Sequence, residues 1–340
     1  MPTFNKFVAT ANALNASLSS PTFTGNRTAV AANASNYYLR ANQIGHLARY
    51  PYLIDDVRMN IYLEQMKSYI NGTSFWEYPM EEYVIPHTHA NTTAGDNTSI
   101  PILFRKSPYG AKNASKPAIL LITGLDGYRP DMPTEIREYA YAQGWSILIV
   151  EMPGTGLSPA AKIDPLSPDR LWSSVLDWMV AQPEIDPKKI VAWGNSAGGY
   201  YGLRIAYTHA DRLLGAIGQG AWSHYGLLPD WWDYTDVGEY PMDIKQGMTL
   251  KFGYSSVDAM KADAFQRFSL VNTGIVKQNH TNMLLVNGMD DTIFPIEDLI
   301  ILTQYDHPKT IRFVANTIHM GEPGGVKNCN YWISTLVNGV

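Results

Sequence analysis

The 340-residue sequence predicts an α/β fold in which a mostly parallel sheet is covered by helices on both faces. Two observations lead to this prediction. From Pro117 onward, short continuous apolar runs, beginning with residues 118–122, alternate with segments of helical pattern. In addition, the pentapeptide at 194–198, GNSAG, separates an apolar β-prone run from a run that can continue as a helix. A chain of this length can bury one large core and carry an accessory region.

Residues 1–98 are predicted to form a helical region distinct from the rest of the chain. Apolar residues recur at helical spacing over 30–47 and over 55–70. Residues 84–86 and 100–104 are predicted as strands on either side of a polar turn at 91–97. We expect the helices to contribute to a cap or a dimer contact rather than to a cofactor site.

Residues 99–340 are predicted to form the main domain, with a helical cap insertion at about 222–274. The insertion interrupts the strand–helix alternation, is rich in Trp and Tyr, and contains a helical piece near 256–268. Its position predicts that it covers the carboxyl ends of the strands, where ligands bind in open α/β sheets. The predicted strands are 118–122, 146–150, 189–193, 216–218, 283–286 and 310–314, and the predicted helices outside the insertion are 134–142, 171–181 and 198–206.

Composition excludes several classes of partner. The net charge is −5 and no basic patch stands out, so we expect no nucleic acid partner. No apolar run approaches the ~20 residues that span a bilayer. The single cysteine, Cys329, excludes an intramolecular disulfide and is predicted to be buried in the last helix.

The sequence gives mixed signals about the compartment. Residues 1–20 lack a cationic start followed by an apolar core, so they do not predict a secretory signal, and we expect a cytoplasmic protein. Several Asn-x-Ser/Thr acceptor patterns for N-glycosylation favour a secreted protein instead, although such patterns have meaning only if the chain enters the secretory pathway. They begin at Asn15, Asn26, Asn33, Asn71, Asn91, Asn97, Asn113 and Asn279.

The GNSAG pentapeptide in this strand–turn–helix context predicts a nucleophile elbow with Ser196 as the nucleophile. Small residues on both sides of the serine permit a strained turn and close packing of helix on sheet. The pattern alone is only a modest signal. Combined with the flanking elements, it predicts an α/β-hydrolase fold with a mostly parallel sheet, a helical N-terminal region and a helical cap insertion.

A serine nucleophile needs a base and an acid that follow it along the chain in this fold. Asp290 and Asp291 come directly after the predicted strand 283–286, and Asp291 has the usual spacing for the acid, with Asp290 as the alternative. Either could instead be a turn-forming or capping aspartate. His319 follows the last predicted strand and is expected to be the base, whereas His307 precedes that strand and is expected at the surface.

The oxyanion hole is expected to use the backbone N–H groups of Ala197 and Leu125. The residues expected to bind substrate lie in the loop after the first buried strand and in the cap. They are Asp126, Tyr128, Trp222, His224, Tyr225, Trp231 and Trp232. Tyr128, His224, Asp230 and Asp233 are candidate helpers of proton transfer. The alternative for the cap aromatics is an ordinary packed helical insertion, and the two roles are compatible.

No metal or cofactor is predicted. His87 and His89 flank one threonine, but no further ligand supports a metal site. Residues 153–156, PGTG, lack the lysine and the spacing of a phosphate-binding loop.

Three stretches carry a resemblance to a branch of the α/β hydrolases. They are TGLDGYRPD at 123–131, EMPGTG at 151–156 and GNSAGGY at 194–200, with NYYLRA at 36–41 similar to that group's helical N-terminal segment. The sequence resembles the fungal yellowish-green pigment-type hydrolases, which shorten polyketides, and is similar to 2,6-dihydroxypseudooxynicotine hydrolase and to fermentation-respiration switch-type proteins. The resemblance implies a Ser-Asp-His triad, a cap built partly from N-terminal helices, often a homodimer, and C–C cleavage of β-dicarbonyl substrates.

The sequence therefore predicts a serine hydrolase that acts on a small, polyketide-like secondary metabolite, with retro-Claisen C–C cleavage as the leading reaction. Three alternatives stay open: an esterase or lactonase, an acyltransferase or cyclase, and a non-catalytic binding protein of hydrolase fold. The last of these is disfavoured because Ser196, Asp291 and His319 are all present.

Overall fold

The computed structural model describes residues 1–108, 115–305 and 307–339, so the acceptor pattern at Asn113 lies outside the described residues. One eight-stranded sheet forms the centre of the described chain. Its strands are β1 (Glu81–Pro86), β2 (Ser99–Arg105), β3 (Lys116–Ile122), β4 (Ser146–Val150), β5 (Ile185–Asn195), β6 (Gly215–Gln219), β7 (Asn282–Gly288) and β8 (Thr310–Val314).

The strand order is β1-β2-β4-β3-β5-β6-β7-β8. The hairpin of β1 and β2 is antiparallel and joins the sheet through an antiparallel pairing of β2 with β4. All other neighbours are parallel. The predicted α/β-hydrolase fold with a mostly parallel sheet is thereby confirmed.

Helices precede the sheet, connect its strands and fill the segment between β6 and β7. Within the described residues they are α1 (Pro2–Leu18), α2 (Arg27–Arg49), α3 (Asp56–Thr73), α4 (Thr134–Ala142), α5 (Ser167–Val180), α6 (Gly199–Thr208), α7 (Pro229–Tyr234), α8 (Ile244–Phe252), α9 (Val257–Phe268), α10 (Glu297–Ile300) and α11 (Gly325–Asn338).

Both faces of the central strands are buried, as their continuous apolar runs predict. Side chains alternate along a strand, so Leu120 and Ile122 face one side and pack with α5, α6 and the segment after β6. Ile119 and Leu121 face the other side and pack with α3, α4 and α11. Cys329 lies buried in α11 on this second side.

The first three helices form an N-terminal layer beside the sheet. The predicted helices over 30–47 and 55–70 correspond to α2 and α3. Residues 2–18, for which the sequence predicts no element, form α1, in which Phe4 and Ala11 are buried. The hydroxyl of Tyr38 in α2 donates to Asn12 Oδ1 at 2.5 Å and ties α1 to α2. None of the helices described here is long and apolar enough to cross a membrane.

The segment between β6 and β7 contains α7, α8 and α9, as expected of a helical insertion at this point. It touches the loops at the carboxyl ends of the strands. The ring of Tyr240 lies 5.6 Å from that of His319, and Trp231 Nε1 donates to the carbonyl of Ile293 at 2.9 Å. We call residues 220–281 the cap segment; the division of the chain into domains stays a prediction.

Candidate active site

Ser196 lies at a strained turn between β5 and α6. Its φ of +56° is in the left-handed region, which non-glycine residues rarely adopt, and a short 3₁₀ turn leads from it into α6. A Cβ on Gly194 would lie 2.1 Å from the carbonyl oxygen of Gly198, and one on Gly198 would lie 2.0 Å from that of Thr123. Both positions therefore need glycine, which is the steric reason for the pattern around this serine.

Three side chains from different loops form a continuous hydrogen-bonded row. Ser196 Oγ lies 2.8 Å from His319 Nε2, and His319 Nδ1 lies 2.8 Å from Asp291 Oδ2. All three residues are buried. The serine follows β5, the aspartate follows β7 and the histidine follows β8, so the parallel strands bring them to one edge of the sheet. This geometry allows the histidine to remove the serine proton.

Both oxygens of the Asp291 carboxylate accept hydrogen bonds. Oδ1 accepts the N–H groups of Ile293 and Phe294 at 2.7 and 3.1 Å, and Oδ2 accepts Asn287 Nδ2 at 2.6 Å in addition to the histidine. Burial raises the pKa of Asp291, but the charge and hydrogen bond of His319 and these donors outweigh it and hold the pKa below its usual value. Asp290, the alternative acid, is exposed.

The pKa of His319 is raised above its usual value. Burial alone lowers it, but the charge and hydrogen bond of Asp291 are stronger and favour the imidazolium, with smaller contributions from the charges of Glu239 and Asp126. An imidazolium stabilised in this way is what forms when the histidine takes a proton from the serine.

The predicted oxyanion donors belong to the residue after Ser196 and to a loop that adjoins the elbow. Ala197 is the next residue in the elbow, and the loop of Leu125 packs against it, since a Cβ on Gly124 would lie 3.2 Å from Ser196 Cβ. In the described part of the chain, neither the N–H of Ala197 nor that of Leu125 donates to a protein acceptor. Both are thus available to a negatively charged oxygen of a substrate.

Asp126 places a carboxylate beside this site without an ion pair of its own among the described residues. Burial raises its pKa and outweighs the positive charges of His46, His319 and Arg49. Burial raises the pKa of Tyr50 and Tyr240, and the charge of Asp126 adds to that rise.

A recess of about 300 Å³ adjoins the predicted oxyanion loop. It lies between the N-terminal layer and the cap segment, and Leu125 and Tyr128 form part of its wall. Tyr128 is itself buried, and its hydroxyl accepts the N–H of Leu53 at 3.2 Å. The other residues that line the recess are Tyr52, Leu53, Ile54, Met59, Gly154, Thr155, Gly156, Ser158, Lys162, Gly247, Leu250 and Lys251.

Trp222 and Trp232 are completely buried in the core that includes the cap segment. The ring of Trp222 stacks on Tyr200 with centroids 3.9 Å apart and lies 6.3 Å from Phe294, which is 5.5 Å from His319. Trp222 is thus one ring removed from the histidine and acts first as packing. Contact of either tryptophan with a substrate stays a prediction.

The remaining predicted cap residues lie farther out. Tyr225, Asp230 and Trp231 line a groove of about 560 Å³. His224 Nδ1 is 2.7 Å from Ser269 Oγ, a contact that accounts for this half-buried histidine structurally. Asp233 is exposed and pairs with Lys261 at 2.6 Å. The structure does not bring Asp230 or Asp233 to the Ser196–His319 pair.

Two residues that contact the site, Asn287 and Glu239, belong to no sequence pattern that would predict their role. Asn287, the residue before Gly288 at the end of β7, holds Asp291 and also accepts the N–H of Met320 at 2.9 Å. Glu239 of the cap segment accepts the N–H of His319 at 3.1 Å and that of Thr292 at 3.1 Å. A lone glutamate in a helical insertion has no local pattern that would predict this contact.

The other histidines singled out in the sequence have structural partners. His87 Nδ1 lies 2.8 Å from Ser174 Oγ, and His89 Nε2 lies 2.7 Å from Asp177. His307 is exposed, as expected. Across residues 1–108, 115–305 and 307–339, no group of three or more His, Cys, Asp or Glu side chains is arranged to hold a metal ion.

Comparison with known families gives a match over most of the chain. Residues 25–337 match the family model described as Esterase FrsA-like. Among curated proteins, the sequence is 24% identical over 276 residues to Esterase FrsA of Pectobacterium atrosepticum, covering 80% of this chain and 62% of that protein. It is 25% identical over 307 residues to Esterase FrsA of Salmonella newport, covering 89% and 71%. The chain thus spans somewhat under two thirds of the first relative's length.

Solved structures show the same fold at lower identity. The 2,6-dihydroxy-pseudo-oxynicotine hydrolase superposes with a TM-score of 0.76 at 16% identity, covering 99% of this chain and 89% of that one. AbyA5 gives a TM-score of 0.71 at 16% identity, covering 96% and 93%. At such identity these likenesses establish the fold alone.

Proposed function

The chain belongs to the FrsA-like esterase family and is an α/β-fold hydrolase, and on that premise we propose that it hydrolyses a carboxylic ester through an acyl-enzyme on Ser196. The observation that carries the proposal is the row Ser196–His319–Asp291, with both hydrogen bonds at 2.8 Å. Further support comes from the strained φ of Ser196, which presents the hydroxyl at the start of α6.

In the first half of the reaction, His319 Nε2 takes the serine proton as Oγ attacks the ester carbonyl. The negative oxygen of the tetrahedral intermediate binds the N–H groups of Leu125 and Ala197. The intermediate then expels the alkoxide, which receives the proton from His319, and the acyl group remains on Ser196. Asp291 keeps the ring in the required tautomer and stabilises the imidazolium.

In the second half, His319 removes a proton from a water molecule that attacks the acyl-enzyme. The acid product leaves and the serine regains its proton. In this proposal part of the substrate occupies the recess of about 300 Å³ beside Leu125, whose walls include Leu53, Met59 and Leu250; Leu125 is the residue that the recess shares with the predicted oxyanion hole.

Labelling with a fluorophosphonate combined with hydrolysis of p-nitrophenyl esters of increasing acyl length tests this proposal. Wild-type protein is expected to carry one label, on Ser196, and to hydrolyse the esters. Ser196→Ala is expected to lose both properties while its thermal unfolding is unchanged. Undiminished ester hydrolysis by folded Ser196→Ala would refute the proposal.

A second candidate reaction is retro-Claisen cleavage of a β-dicarbonyl, polyketide-like compound, the activity implied by the resemblance to pigment-type hydrolases. Here Ser196 Oγ adds to a ketone carbonyl, and the adjacent C–C bond breaks to give an acyl-enzyme and an enolate. The enolate carbon needs a proton, whereas an alkoxide is served by His319. Asp126, which follows the predicted oxyanion donor Leu125 and forms no ion pair among the described residues, is the candidate donor of that proton.

Paired substrates separate the two reactions. The test compares a β-diketone with an ester of the same acyl group, using wild type and Asp126→Asn. If C–C cleavage is the function, wild type turns over the diketone and Asp126→Asn loses that activity more than ester turnover. Hydrolysis of the ester alone by wild type would eliminate the second candidate.

A homodimer and a cytoplasmic location remain predictions. Light scattering on the purified protein measures the first directly, with twice the chain mass expected. Fractionation of the source cells, together with a test for glycans on the Asn-x-Ser/Thr acceptors, measures the second.

A further inference from the structure

The loop at residues 123–131, which carries the predicted oxyanion donor Leu125, is held on its outer side by the N-terminal layer. Arg49, the last residue of α2, has no exposed surface. Its Nη1 donates to the carbonyl of Asp126 at 3.1 Å, and its guanidinium carbon lies 4.2 Å from the centre of the Tyr128 ring. The buried guanidinium of Arg49 thus contacts both Asp126, which follows Leu125, and the ring of Tyr128.

The other end of the same loop is fixed by the same guanidinium. Arg49 Nη2 pairs with the carboxylate of Asp131, and this carboxylate also accepts the N–H of Tyr128 at 2.8 Å. Burial raises the pKa of Asp131, but the hydrogen bond of His46 and the charge of Arg49 outweigh it and keep the pKa below its usual value. The carboxylate is therefore ionised and bridges the N-terminal layer and the loop.

Gln65 of α3 completes the arrangement. Its Oε1 accepts Arg49 Nε at 2.8 Å, and its Nε2 donates to Asp131. Arg49 thereby uses its fork of donors in three directions: to α3, to the Asp131 carboxylate and to the backbone of the loop. A lysine has no such planar fork and cannot make these contacts together.

From these contacts we infer that Arg49 is a positioning residue for the oxyanion hole. By fixing Asp126 and Asp131, it sets the direction of the Leu125 N–H towards Ser196, so that the N-terminal layer contributes to the active site. The inference rests on the proposed function, because it assumes that the reaction passes through an oxyanion at Leu125.

The test compares Arg49→Lys with wild type, with Arg40→Met on the exposed side of the same helix as the matched control. Losing one oxyanion donor outright costs about 10²–10³-fold in rate. For Arg49→Lys we therefore expect kcat to fall by about 10- to 100-fold with KM within about threefold. Arg40→Met is expected to match wild type in both constants.

A trifluoromethyl ketone supplies a readout that a merely structural role would not move. It forms a tetrahedral adduct with an oxyanion, so its affinity is expected to fall by the same factor as kcat. The midpoint of the pH profile assigned to His319 is expected to stay within about 0.3 units, since the histidine contacts are intact. Folded Arg49→Lys with wild-type kcat and inhibitor affinity would overturn the inference.

Where Arg49→Lys fails to fold, Gln65→Leu decides. This variant keeps the ion pair of Arg49 with Asp131 but removes the amide oxygen that accepts from Arg49 Nε. We therefore expect a smaller loss in kcat and in inhibitor affinity than for Arg49→Lys. Wild-type values of both would overturn the inference. The failure of the proposed function and the failure of this inference give different results. If the proposed function is wrong, Ser196→Ala retains activity. If only the inference is wrong, Ser196→Ala is inactive but the Arg49 and Gln65 variants behave as wild type.

Discussion

Ser196, Asp291 and His319 each follow the carboxyl end of a strand in one sheet, whereas the loop that carries Leu125 is held from outside by two N-terminal helices. The first region is supported by parallel strands whose ends meet by construction. The second depends on contacts between residues 77 and 82 positions apart in the chain. The side chains of Ser196, Asp291 and His319 are therefore positioned by the sheet, whereas the loop of Leu125 is also held by an accessory layer.

The largest loss of activity is expected when the proposed nucleophile, Ser196, is replaced. For Ser196→Ala we expect kcat to fall by about 10⁴–10⁶-fold, because neither the oxyanion donors nor the cap can replace a covalent intermediate. Initial rates with a p-nitrophenyl ester measure this effect. The exposed Ser74→Ala serves as the control, and a loss of similar size in that variant would contradict the assignment.

The next largest effect is expected from Asp291→Asn, which keeps the size of the side chain and removes its charge. We expect kcat to fall by about 10⁴-fold, since an amide favours the wrong tautomer of the histidine. His319 acts as a base only when neutral, so its raised pKa means that kcat/KM falls as pH drops through a value above 6.5. Without the Asp291 charge this midpoint moves to lower pH.

A kcat/KM profile from pH 5 to 9 checks that shift. The exposed Asp290→Asn is the matched control and is expected to keep both rate and midpoint. A normal profile in Asp291→Asn together with a shifted one in Asp290→Asn would reverse the two assignments.

Glu239 belongs to the cap segment but accepts a hydrogen bond from the backbone N–H of His319, so its variant tests whether the cap segment also influences the site. Glu239→Gln removes a negative charge that raises the pKa of His319, so the pH midpoint is expected to move down by less than in Asp291→Asn. We expect a loss of up to about tenfold in kcat, because the amide still offers one acceptor oxygen. The same profile measures it, with exposed Glu297→Gln as the control. A midpoint unchanged from wild type would show that the cap charge does not reach the histidine.

The smallest effect on activity is expected at a second contact of the N-terminal layer, which involves Arg129 and Glu151 rather than Asp126. Tyr62 Oη donates to the buried Glu151 carboxylate and accepts from Arg129 at 3.2 Å. Tyr62→Phe is expected to lower the free energy of unfolding by about 1.5–3 kcal/mol, the usual value for a hydrogen bond to a charged group, and to leave kcat unchanged. Urea unfolding measures the first and ester hydrolysis the second, with exposed Tyr331→Phe as the control.

This last variant distinguishes two roles of the same layer. Arg49 contacts the carbonyl of Asp126, the residue after Leu125, whereas Tyr62 contacts the Glu151 carboxylate and Arg129, four positions after Leu125 in the same loop. If Tyr62→Phe reduced kcat as much as Arg49→Lys, the layer would act only through general stability, and the special position of Arg49 would be lost.

Local patterns in the sequence account for much of the fold. Runs such as 118–122 and 146–150, in which every residue but Ser146 is apolar, predicted buried strands because both faces of a parallel sheet are covered. The GNSAG pattern predicted the elbow because sterics at Gly194 and Gly198 leave few alternatives. In contrast, α1 carries only two buried residues, too weak a periodicity to reveal a helix.

The sequence by itself determined the order of strands and helices, the elbow and the chain order of Ser196, Asp291 and His319, because each depends on a local period or on the position of a residue after a strand. Only the tertiary structure decided that Arg49, Gln65, Glu239 and Asn287 contact these loops. The physical reason is that a buried charge or amide needs a hydrogen-bond partner, and distant segments supply that partner only when the core brings them together.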